Sequence, residues 1–255
     1  MTLHFERVGD GPPVVVLHGL FGAGRNWLTV ARRLSDRYTF YLVDLRNHGR
    51  SPHAESMTYT DMVADVRALV DELDLKDFVL VGHSMGGKAA MTMALNDARG
   101  IARLVCVDIA PVRYPDHFEA MIDAMLAIDM EQIKRRSDAE RLLVDAIAEQ
   151  SVRLFILQNL VFENGRARWR ANLKALNDQM PHILGLLPVA DDARFAGETW
   201  FIRGELSDRI TDEHLVIINT LFSDHRIETV ANGGHWPHSE SPEAFMAIFE
   251  RALDM

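Results

Sequence analysis

The residues best suited to do chemistry are Gly82-His83-Ser84-Met85-Gly86-Gly87, which close the apolar run Phe78-Val79-Leu80-Val81 and lead straight into Lys88-Ala89-Ala90-Met91. A Gly-x-Ser-x-Gly run between a strand and a helix makes a turn so tight that side chains two before and two after the serine would collide. Both of those positions are glycine here. The strain of such a turn holds the Ser84 hydroxyl clear of the sheet and points the Met85 N–H into the same space. A presented hydroxyl beside a fixed N–H dipole is the beginning of nucleophilic acyl transfer. An unaided serine is a weak nucleophile, so a base is expected, together with an acid that orients it.

Later in the chain, a histidine stands in a glycine-flanked turn, Gly233-Gly234-His235, just past the apolar stretch Ile227-Glu228-Thr229-Val230. His235 is the candidate base. Two acids compete to orient it. Asp208 follows Thr199-Trp200-Phe201-Ile202, and Asp108 ends Leu104-Val105-Cys106-Val107. Asp208 is preferred, a role shared with Asp108 stays open, and Ser207 is a supporting member of the network. The turn His18-Gly19-Leu20-Phe21-Gly22 supplies a second oxyanion N–H, assigned to Leu20, to act with that of Met85. His18 reads as structural, and His83 as facing away from the cleft because of its place beside Ser84. His48, His53, His117, His182 and His225 read as surface or hydrogen-bonded residues. His235 and His238 have no third ligand near them and Trp236-Pro237 interrupts any helix, so no metal is expected, and no cofactor.

Positioning these groups requires a sheet. Short β-branched runs at Val14–Leu17, Phe40–Val43, Phe78–Val81 and Leu104–Val107 alternate with helical patterns at Asn26–Leu34, Thr60–Leu73 and Lys88–Leu95. That alternation predicts a mostly parallel twisted sheet with helices on both faces, preceded by an edge strand over Leu3–Val8. The pattern changes from Pro115 to Ile183, where no strand is expected. Four helices are predicted there, at Phe118–Ile128, Asp138–Gln150 with Asp138 as its cap, Val152–Leu160 and Arg166–Asn177. They form a helical cap, or lid, at 115–183 inserted in a core of residues 1–114 and 184–255. Helices at Asp212–Phe222 and Pro242–Leu253 complete the core. Phe21, Phe118, Phe155 and Phe162 are candidates to line a substrate pocket under the lid, with Leu157 and Met180.

Composition narrows the partners. The 255 residues carry a net charge of −10, which argues against nucleic acid, and 48% hydrophobic residues suffice for one large core. No amino-terminal signal pattern and no apolar run near the length of a membrane span is seen, so a cytoplasmic location is expected. The single cysteine, Cys106, lies in an apolar run and reads as buried and structural. Oligomeric state is not legible.

Six stretches together resemble the α/β-hydrolase superfamily, and within it the YbfF-type esterase branch. They are His18-Gly19-Leu20-Phe21-Gly22, Asp44-Leu45-Arg46-Asn47-His48-Gly49-Arg50-Ser51-Pro52, Gly82 to Gly87, Asp108-Ile109-Ala110-Pro111, Arg203-Gly204-Glu205-Leu206-Ser207 and Gly233-Gly234-His235-Trp236. The resemblance implies an α/β-hydrolase fold and a serine hydrolase that cleaves short- to medium-chain acyl esters, or thioesters, through an acyl-enzyme. Such hydrolases usually carry the acid three residues after the glycine that ends the penultimate strand. That place is Ser207 here, with Asp208 one residue later. In the branch, the acid role is shared between an aspartate matching Asp108 and a serine matching Ser207, so Asp208 is a departure. Two alternatives stay open: a C–C bond hydrolase or perhydrolase using the same triad, and a non-catalytic ligand-binding hydrolase fold, although such folds often lose the triad that this chain retains.

Overall fold

A computed structural model describes residues 1–254. Nine strands are labelled in chain order: β1 (Phe5–Val8), β2 (Pro13–Leu17), β3 (Thr39–Val43), β4 (Phe78–His83), β5 (Ile101–Val107), β6 (Leu160–Glu163), β7 (Arg166–Trp169), β8 (Thr199–Gly204) and β9 (His225–Val230). Seven of them form one sheet in the order β1-β3-β2-β4-β5-β8-β9. Only the β1–β3 pairing is antiparallel. Helices cover both faces, so the inner strands are apolar on both sides rather than alternating. Within β2, Val14 and Val16 join a core with Trp27, Phe40 and Phe245, while Val15 and Leu17 join the opposite core with Phe78 and Leu80. This is the α/β-hydrolase fold.

Register decides what can meet at the carboxyl edge of the sheet. His83 of β4 pairs with Val107 of β5, and Val107 pairs with Ile202 of β8. The next residues, Ser84 and Asp108, therefore leave the sheet side by side. The helix Tyr59–Glu72 begins one residue before the expected Thr60, with the Thr58 hydroxyl accepting from the Asp61 N–H at 3.2 Å as its cap. Among the described residues no helix is long and apolar enough to cross a membrane.

The segment between β5 and β8 departs from the expected four helices. Helices occupy Glu119–Leu126, Arg136–Leu143, Gln150–Ile156 and Leu173–Ile183, but residues 160–169 form the antiparallel hairpin β6–β7. Its turn is Asn164-Gly165, with φ of 50° and 77°. Both central residues of a tight two-residue hairpin turn need positive φ, and Asn-Gly meets that need at least cost. The helix expected over Arg166–Asn177 is thus a strand followed by the start of a later helix. Asp138 is not a cap either. It lies inside the first turn, and its carboxylate reaches back to accept from the N–H groups of Lys134 and Arg135 at 3.1 and 3.0 Å.

Candidate active site

The turn after β4 shows the strain that its glycines permit. Ser84 has φ 52° and ψ −121°, a conformation that side-chain-bearing residues seldom adopt. A Cβ on Gly82 would stand 2.3 Å from the Gly86 carbonyl oxygen, and one on Gly86 would stand 2.4 Å from that of Leu17. Only glycine fits at either place. Gly19 performs the same service for the neighbouring turn, because a Cβ there would come within 3.2 Å of the Ser84 Cβ.

Ser84, His235 and Asp108 form a continuous hydrogen-bonded line. The Ser84 hydroxyl lies 3.0 Å from His235 Nε2, and His235 Nδ1 lies 2.7 Å from Asp108 Oδ2. The acceptor at Nδ1 is a carboxylate, which fixes the proton on Nδ1 and leaves Nε2 free to accept from serine. Asp108 is fully buried, with φ 51°. Its Oδ1 accepts from the Gly204 N–H at 2.9 Å, and its Oδ2 also accepts from the Ser207 hydroxyl at 2.5 Å. These donors replace the water that a buried carboxylate gives up. Asp208, the acid preferred from sequence, is not in this line. Its side chain is 89% exposed and its carboxylate lies 3.5 Å from Arg209. Ser207 occupies the inward position of that loop, so the next residue faces solvent.

Two buried histidines brace the turn His18–Gly22. His18 accepts from the Leu45 N–H at Nε2, 3.0 Å, and donates from Nδ1 to Gly19 O, 2.8 Å. His48 accepts from the Phe21 N–H at 3.2 Å and donates to Arg46 O at 3.0 Å. The Phe21 N–H is therefore occupied. The N–H groups of Leu20 and Met85 have no protein acceptor among the described residues. Burial lowers the pKa of His18 to about 4, and that of His48 to about 3 with help from the neighbouring His18. His83 corrects an expectation. It borders the cleft instead of facing away, because the His235 loop folds back over the strand end and its carbonyl accepts from His83 Nε2 at 2.7 Å.

A cleft of about 340 Å³ opens beside Ser84 and His235. Phe21, Phe118 and Phe155 line it as expected, but Phe162 does not: it stands on β6, 38% exposed. Leu157 and Met180 are buried away from the cleft. Sequence reasoning missed Met121, Ile147, Val152, Ile156 and Trp236 as apolar lining residues. The spacing of Val152, Phe155 and Ile156 on one helical face was the available signal. The Phe155 and Trp236 rings, 5.3 Å apart, join the inserted segment to the His235 loop.

Residues 14–248 match the model of the alpha/beta hydrolase family. The chain is 38% identical over 251 residues to the sn-1-specific diacylglycerol lipase ABHD11 of Danio rerio, covering 95% of this chain and 78% of that protein. It is 32% identical over 248 residues to the esterase YbfF of Escherichia coli, covering 96% and 94%. A solved structure of a marine microorganism esterase superposes with a TM-score of 0.94 at 33% identity, covering 99% of each chain. The chain belongs to the alpha/beta hydrolase family, as an esterase- or lipase-type carboxylic ester hydrolase of the YbfF-like branch.

Proposed function

We propose that this hydrolase cleaves short- to medium-chain acyl esters of small alcohols through a Ser84 acyl-enzyme, with His235 as base and Asp108 as the acid that orients it. The observation that carries the reading is the unbroken line Ser84–His235–Asp108 opening into an apolar cleft of about 340 Å³. His235 Nε2 takes the Ser84 proton as the oxygen attacks the ester carbonyl. The N–H groups of Leu20 and Met85 receive the developing oxyanion. The tetrahedral adduct collapses with loss of the alcohol, which leaves carrying the proton from His235. Water then enters, gives a proton to the same nitrogen and releases the carboxylic acid and free Ser84. Residues 115–183 act as a lid that supplies the acyl wall.

The test is turnover of p-nitrophenyl esters from acetate to palmitate, with mass spectrometry after a fluorophosphonate. Turnover peaking among the shorter chains and a single adduct on Ser84 are expected. Absence of turnover across the series, or an adduct elsewhere, overturns the reading. Pocket size is checked separately. Met121 is 9% exposed and lines the cleft, so Met121→Ala is expected to move the optimum about two carbons longer, at a stability cost of about 2–3 kcal/mol. An unchanged chain-length profile in a folded variant would remove Met121 from the acyl wall.

A further inference from the structure

Lys88 is the residue whose burial the chemistry above does not use. It lies one turn beyond Ser84, whose carbonyl accepts the Lys88 N–H at 3.1 Å, and its side chain is 1% exposed. No carboxylate among the described residues lies within ion-pair distance of it. Instead the ammonium donates to three backbone carbonyls: Val112 at 3.0 Å, Leu184 at 3.4 Å, and Gly185. Three acceptors match the three N–H groups of an ammonium. The rings of Tyr59 and Tyr114 stand 5.3 and 5.6 Å from Nζ and add their π faces. Burial and the charge of Arg113 both lower the proton affinity of this amine. An apolar side chain would fill the site at less cost, so stability does not explain a lysine here.

The three carbonyls are not scattered. Val112 lies where the chain leaves the core after β5, and Leu184 and Gly185 lie where it returns after the helix Leu173–Ile183. The two crossings also touch directly, since the Tyr114 N–H donates to Leu184 O at 3.0 Å, and the core helix Tyr59–Glu72 reaches the second crossing through Tyr59 Oη, which donates to Ile183 O at 2.6 Å. We propose that Lys88 is a positioning residue that ties both crossings of the inserted segment to the first turn of the Ser84 helix, and so sets the height of the acyl wall above the nucleophile. The proposal rests on the lid reading of residues 115–183, and assigns Lys88 no contact with substrate.

Lys88→Met keeps the apolar stem and removes the donors. With the best p-nitrophenyl ester of wild type, KM is expected to rise about tenfold, with kcat within about threefold, since the acyl wall is lost and the serine is not. Amide exchange at Tyr114 and Gly185 is expected to quicken about tenfold, while labelling of Ser84 by diisopropyl fluorophosphate stays within about threefold. A folded Lys88→Met with unchanged exchange at those amides, or with kcat reduced at constant KM, overturns the proposal. Should that variant not fold, Lys88→Gln keeps a neutral donor on a shorter stem and cannot bind all three carbonyls. Faster exchange at Leu184 and Gly185 with a KM about threefold higher then supports the tie, and no change in either overturns it. If wild type hydrolyses no ester, the acyl-ester reading fails, while the exchange data still decide whether Lys88 holds the crossings.

Discussion

Asp108→Asn is expected to lower kcat/KM for ester hydrolysis about ten-thousandfold, while Asp208→Asn leaves it within about twofold. The asymmetry follows from what each carboxylate touches. Asp108 holds the His235 Nδ1 proton at 2.7 Å in a fully buried setting. In the asparagine variant the Ser207 hydroxyl and Gly204 N–H still donate toward the same two atoms, so the amide cannot satisfy all three neighbours. Where its NH₂ faces His235, the ring is driven to carry its proton on Nε2. That tautomer can no longer accept from Ser84. Asp208 is 89% exposed, and its removal costs only a solvated pairing with Arg209. Steady-state kinetics on both variants decide the matter, with thermal melts to show that each is folded. Retained activity in Asp108→Asn, with loss in Asp208→Asn, would return the role to Asp208.

Acid is expected to unfold the chain steeply between pH 6 and 4, before most carboxylates are protonated. His18 and His48 each accept a backbone N–H at Nε2 and donate from Nδ1, which only the neutral ring can do. An unfolded histidine takes a proton below about 6.5, but His18 in the folded state does so only near 4 and His48 near 3. Between those values the unfolded chain binds more protons, so falling pH favours it, and the full stability contribution is present only above 6.5. The two residues together withdraw about 5 kcal/mol over this window, comparable with the whole stability of an ordinary domain. Burial and the nearby His235 and His238 lower His83 as well, adding to the same slope. Circular dichroism from pH 8 to pH 4 measures this. A native signal that persists to pH 4 would contradict the account. His48→Gln, whose side-chain carbonyl can take the Phe21 N–H, is expected to flatten the transition.

Much of this architecture was readable because burial on both faces leaves few ways to write a strand. Val14–Leu17, Phe40–Val43, Phe78–Val81 and Leu104–Val107 all lie within strands of the sheet. The hairpin at 160–169 was not read, since its charged strand Arg166–Trp169 lacks that apolar mark. Its Asn164-Gly165 turn was nevertheless a direct sign of it. The serine and the histidine each sit beside glycines that permit one local geometry, and such geometry is legible residue by residue. The acid is different. Which carboxylate reaches His235 depends on the β4–β5 register that sets Ser84 beside Asp108, and on Ser207 taking the inward place in its loop. Neither is a local property. The same holds for Lys88, where a helical lysine gives no hint of its three distant carbonyls.

On the proposed mechanism, synthesis delivers the nucleophile long before the base. The chain through β5 includes Ser84, just after β4, and leads to Asp108, and β1 to β5 are neighbours in the sheet without β8 and β9. β8 and β9 add only at the open side of β5, and His235 follows β9. A nascent chain that has folded only through β5 is therefore expected to hold Ser84 without the base proposed for it. On the proposed mechanism, activity is expected only once this edge of the sheet is complete, and a chain that stops short of residue 235 is expected to be inert toward esters.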